Sequence, residues 1–269
     1  MIHLLALAFY IGALVLWTSL LVRGPGERGA SVATTISAVA VTVHAVGLGQ
    51  YTFEHGELPF VGLGAVLSSL AFAGGLALLV VLALREVSRL ALALLPFIVL
   101  VQGTALILGI RPSPMSLDFQ GAGFALHVGL AILGVQGLVV AFAAGVLYLV
   151  QHHELKAKRL GRLFSFIPPL ATLDRVGRIG LWGGFVSLSL ALVLGWGWTV
   201  QNRGSLEFGD PKVVWAVGCW MVFLGILGAR RGRGRSEYRS ALAAVVGFAL
   251  VMGTYLALRL TSGEGGFFL

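Results

Sequence analysis

Residues 122–150 read AGFALHVGLAILGVQGLVVAFAAGVLYLV, without a single Asp, Glu, Lys or Arg. A helix that crosses a bilayer needs about 20 consecutive apolar residues, so this stretch marks an integral membrane protein. One imidazole, His127, stands inside it. Seven further apolar stretches flank it, at 2–22, 31–51, 60–84, 90–110, 179–200, 213–229 and 240–258. The connections between them are short and carry nearly all the charge. The expected fold is an all-α polytopic membrane bundle of about eight transmembrane helices, one integral membrane domain over 1–269.

Composition agrees. Of the 269 residues, 58% are hydrophobic and 11% charged, with a mean hydropathy of +0.94. Soluble domains are about 25% charged, so no separate soluble domain is expected. One cysteine, Cys219, lies in an apolar stretch. This excludes a disulfide framework and argues against an Fe–S or zinc-thiolate site. Residues 2–22 lack a basic leader and a small-x-small cleavage site, and read as a first span rather than a signal peptide.

The net charge of +8 has a membrane explanation. Fifteen of the 19 Lys and Arg fall in alternate connections. They are Arg23 and Arg28; Arg85 and Arg89; Lys156, Lys158, Arg159, Arg162, Arg175 and Arg178; and Arg230, Arg231, Arg233, Arg235 and Arg239. The other connections and the C-terminal tail hold Arg111, Arg203, Lys212 and Arg259. Cationic loops stay cytoplasmic, so both termini are expected outside. The basic surplus is not read as a nucleic-acid surface. The spans show no clear Asp or Glu, which counts against a proton-coupled transporter. No nucleophile–base pair is apparent, and an enzyme is not expected. Ser68, Ser69 and Thr104, with Gly74-Gly75, Gly121-x-Gly123 and Gly183-Gly184, read as helix-packing contacts.

Two histidines lie within spans. His44 is about 10 Å below the outer boundary, counted from Tyr51 at 1.5 Å per residue. His127 is about 9 Å below the same boundary, counted from Gly121. Neutral imidazole is the commonest side-chain metal ligand, and two at one depth can take both axial positions of a haem iron. For either histidine alone, a hydrogen bond to a neighbouring helix is the simpler account; the matched depth favours a shared centre. His3, His55, His152 and His153 read as interfacial or solvated. Trp196, Trp198, Trp215 and Trp220 suit interface anchoring or an aromatic shelf for a porphyrin. Arg203 and Lys212, in the connection 201–212, are candidates to pair with haem propionates or with lipid phosphate.

With these residues in view the chain resembles the CcsA/HemX-type cytochrome c assembly family, especially its HemX/YpjD-like branch. The likeness is carried by LHVGLAILGVQGLVVAFAAGVLYLVQHHELKAKRL at 126–160 and IPPLATLDRVGRIGLWGGF at 167–185. VHAVGL at 43–48, DPKVVWAVGCW at 210–220 and GFALVMGTYLAL at 247–258 add to it. The resemblance implies haem handling at the outer face of a bacterial cytoplasmic (inner) membrane, with b-type haem as cofactor. His127 matches the family's outer haem-ligating histidine, and Asp210, Pro211 and Lys212 match a segment after its tryptophan-rich motif. That motif is missing: the loop reads GWGWTVQNRGSLEFGDPK. Gly228 stands at a later histidine position, and no histidine follows the last span. An accessory role therefore fits better than a full haem-transfer synthetase. The implied partners are haem, the lipid bilayer and cytochrome c assembly proteins. The alternative is a regulatory scaffold for glutamyl-tRNA reductase, docked on the basic loops 156–178 and 230–239 or, if those loops serve only anionic lipid, not docked at all.

Overall fold

The computed structural model describes residues 1–24, 26–112, 121–158, 161–203, 211–229 and 236–261. The described residues form eight long α-helices, α1 (Ile2–Arg23), α2 (Glu27–His55), α3 (Leu63–Ala83), α4 (Ala91–Leu108), α5 (Ala122–Lys156), α7 (Leu170–Arg203), α8 (Pro211–Ala229) and α9 (Ser236–Thr261). A short helix, α6 (Arg162–Phe166), lies between α5 and α7, and a 3-10 turn (Arg85–Leu90) precedes α4. Each expected span lies largely within one long helix. Seven of the helices are long and apolar enough to cross a membrane, while α8 has a shorter apolar run, Val213–Ala229. The fold is a polytopic helical membrane bundle.

Helix ends differ from the expected span ends. α7 begins at Leu170, and so takes Asp174, Arg175 and Arg178 into the helix. Charge marks where lipid ends, whereas the backbone hydrogen-bond ladder runs on into the polar zone. Pro168-Pro169 sets the start instead, because proline suits a helix's first turn and not its interior.

Small residues decide the packing. Lipid tails are as apolar as leucine, so helices associate through close van der Waals approach. α5 and α7 form the most extensive pair. A Cβ at Gly137 would lie 2.5 Å from the Gly180 carbonyl oxygen and 2.5 Å from Gly184 Cα. One at Gly134 would lie 3.0 Å from Leu188 Cβ. α9 also packs on α5, where a Cβ at Gly145 would sit 2.9 Å from the Ala241 carbonyl oxygen. Of the glycine pairs read as packing surfaces, Gly74, Gly75 and Gly184 face neighbouring side chains; Gly121, Gly123 and Gly183 meet nothing within 4 Å.

α1 to α4 form a second group, joined to α5 through α3 and α4. α1 buries Ala6, Tyr10, Ala13, Trp17 and Leu20, one stripe at helical period. α2 buries Ala33, Ser37, Ala40, Val41, His44, Gly47, Leu48 and Tyr51. His44 belongs to that stripe, so it turns inward. At the opposite end of the bundle Arg89 donates to the carbonyls of Ser165 and Phe166, at 2.9 and 2.8 Å, and lies over the Phe166 ring. Gln151 donates to the Phe164 carbonyl. These bonds satisfy carbonyls that a short helix leaves open at its C-terminus.

Candidate functional site: two imidazoles in two surroundings

His127 sits on the first turns of α5, against α7. Its Nδ1 lies 2.7 Å from the carbonyl oxygen of Ala191. A carbonyl only accepts, so Nδ1 carries a proton, and in the neutral ring the lone pair is then on Nε2. Among the described residues Nε2 has no hydrogen-bond partner. The imidazole fits against α7 because residue 195 is glycine: a Cβ there would lie 2.6 Å from His127 Cε1 and 2.8 Å from Nδ1. Phe124, one turn earlier on α5, is 6.5 Å from the His127 ring, centroid to centroid, and 5.8 Å from Trp198. The cluster is half-buried, apolar on its aromatic side, and ends on a bare sp² nitrogen.

His44 has the opposite character. It is fully buried. Ser68 Oγ of α3 lies 3.0 Å from Nε2, and the Tyr10 hydroxyl of α1 lies 3.3 Å from Nδ1. His3, Tyr10 and Phe72 rings meet it edge-on, with centroids 5.6 to 5.9 Å away. Both ring nitrogens are occupied, so His44 ties three helices together. Among the described residues no hydrogen bond or ring contact joins His44 to His127. Each imidazole bonds a neighbouring helix, and matched depth alone does not bring the two into one cluster.

The tryptophans also divide. Trp198 joins the His127 cluster, whereas Trp196 is 56% exposed. Residues two apart on a helix do not share a face, so the pair makes no common shelf. Trp220 stacks on Phe185 and donates to Ser189 Oγ at 2.9 Å. Trp215 packs beside Tyr255. The side chains of Arg203 and Lys212 are not among those described, and Asp210, Arg230, Arg231, Arg233 and Arg235 lie outside the described residues. Two of the remaining histidines, His55 and His152, are held locally. His55 donates from Nδ1 to the Tyr51 carbonyl and stacks on Tyr51, and His152 stacks on Tyr148. Ser69 donates to the Pro59 carbonyl and Thr104 to that of Leu100.

Gly195 and Ala191 are the site residues that sequence reasoning passed over. A signal existed: Gly195 lies about 8 Å below the α7 span end at residue 200, near the depth counted for His127.

The donor set at His127 fits an axial iron ligand. A ligating histidine almost always gives its other ring N–H to a carbonyl, carboxylate or water, and Ala191 supplies that acceptor. The structure thus defines a polytopic helical membrane protein with an imidazole held between two of its helices. The cytochrome C assembly protein family model matches residues 2–263, and the chain belongs to that family. The cytochrome c biogenesis protein CcsA of Chlamydomonas reinhardtii is 30% identical over 164 residues, 59% of this chain and 44% of that protein. CcsA of Guillardia theta is 26% identical over 163 residues, 55% of this chain and 54% of its own length. CcsA of Prochlorococcus marinus is 40% identical over 77 residues, 29% of this chain and 24% of its own. These matches span about a quarter to about half of the relatives' length.

Proposed function

We propose that this protein binds haem near its outer end and passes it on in cytochrome c assembly, with His127 as iron ligand. The supporting observation is the His127 tautomer, with Nδ1–H committed to Ala191 and Nε2 left as a lone-pair donor. The family description and the names of the relatives supply the context. Phe124 and Trp198 offer apolar surface for a porphyrin edge, and Arg203 and Lys212 are the candidate propionate partners. The role is capture and handover rather than turnover, so no catalytic residue is assigned. The charge bias supports a site on the outer side with both termini outside, and a bacterial cytoplasmic (inner) membrane is the proposed setting. The absent tryptophan-rich motif favours the HemX/YpjD-like accessory form.

Bis-histidine ligation with His44 is the fuller form of the same proposal, and matched depth supports it. It requires His44 to give up Ser68 or Tyr10 for iron. The relatives lend no support to glutamyl-tRNA reductase as partner; other cytochrome c assembly proteins are proposed instead.

Visible absorption and a pyridine haemochrome assay on detergent-purified protein, supplied with hemin, test this. Wild type is expected to take up hemin with a distinct Soret band, and His127→Ala to lose or shift it. No uptake by wild type, or an unchanged spectrum in His127→Ala, sinks the proposal. A six-coordinate low-spin spectrum lost in both His44→Ala and His127→Ala assigns two histidines; loss in His127→Ala alone assigns one.

A further inference from the structure

The Ala191 carbonyl belongs to the interior of α7, where it already accepts the N–H of residue 195 in the helical ladder. A side chain at that position normally crowds a carbonyl one turn below. Here residue 195 is glycine, and a Cβ would fall within 2.8 Å of the very nitrogen that donates to Ala191. Glycine therefore uncovers the second lone pair of the Ala191 oxygen for a donor from α5. Other glycines on the same helix lack this role: a Cβ at Gly183 meets nothing within 4 Å.

We infer that Gly195 is a positioning residue for His127. It opens the Ala191 carbonyl, locks the imidazole as the Nδ1–H tautomer, and so sets the donor strength of Nε2. This rests on the reading of His127 as an iron ligand, but the tautomer can be measured without iron. An N–H bond to a carbonyl makes the opposite nitrogen more electron-rich, and groups in this outer position typically tune metal affinity by 10–100-fold.

The test combines ¹⁵N-histidine NMR of the haem-free full-length protein with hemin titration, for wild type, Gly195→Ala, Gly183→Ala and His127→Ala. The His127 signals are assigned by their loss in His127→Ala. Wild type is expected to show a protonated Nδ1 and a bare Nε2 at His127. Gly195→Ala is expected to lose that signature, to bind hemin on the order of tenfold more weakly, and to raise the midpoint potential of what it binds. Gly183→Ala should match wild type in all three. Alanine is a better helix former than glycine, and circular dichroism checks that the total helix content is kept. A wild-type His127 protonated on Nε2 overturns the inference without any variant. So does a Gly195→Ala protein with the wild-type tautomer and hemin affinity. Unchanged hemin binding in His127→Ala, with the tautomer as expected, removes the iron-ligand reading and leaves the Gly195 geometry standing.

Discussion

Ser68 Oγ lies 3.0 Å from Nε2 of His44, and both residues are fully buried. With Tyr10 on the other ring nitrogen, the pair makes a closed polar junction of α1, α2 and α3. In lipid such a bond is worth about 0.6–2 kcal/mol, because the separated helices also find partners. Ser68→Ala should therefore lower stability by about 1 kcal/mol. His44→Ala should cost more, since it removes a buried ring and strands two hydroxyls. Thermal unfolding in detergent reads both. If His44→Ala unfolds no earlier than Ser68→Ala, the junction is not what holds these helices.

The α5–α7 seam leaves no room for a side chain at Gly137. Gly137→Val would push branched carbon into the Gly180 carbonyl and the Gly184 backbone, where even a Cβ finds 2.5 Å. Rigid backbone cannot yield as a side-chain tip can, so a loss at or above the usual 1–3 kcal/mol of overpacking is expected. Gly183→Val, on the open side of α7, should stay near wild type. Equal melting temperatures for the two variants would contradict the packing described.

Trp196 and Trp198 should separate in a binding assay. Trp198 touches Phe124 beside His127, whereas Trp196 is turned outward. Trp198→Ala is expected to weaken hemin binding by about tenfold, the low end of the roughly 1.5–3 kcal/mol that burying a large apolar side chain contributes. Trp196→Ala should leave it unchanged. Equal losses in both would restore the common aromatic shelf.

Much of the fold was legible. The run at 122–150 could only be a spanning helix, and the other apolar stretches each became a helix. The buried stripe on α2 follows the helical period at residues 33, 37, 40, 41, 44, 48 and 51, but apolar Val32, Val39 and Val46 face outward, so the fold and not the pattern reveals it. Span ends were less legible, since the positive-inside bias reports the lipid boundary and not the last hydrogen-bonded turn. The site was half legible. Depth along a helix comes from counting residues, which flagged His44 and His127. Their neighbours depend on rotation and on which helices pair, and no count supplies either.

The sequence by itself determined membrane residence and the long helices among the described residues, because those depend on local hydrophobicity and on a rise of about 1.5 Å per residue. Only the tertiary structure decided that His44 closes a polar junction while His127 Nε2 has no hydrogen-bond partner among the described residues. That difference rests on Ser68 and Tyr10 reaching one ring and the Ala191 carbonyl reaching the other. The first contacts join three consecutive helices, and the second joins α5 to α7, where Gly137, Gly184 and Gly195 let the backbones approach.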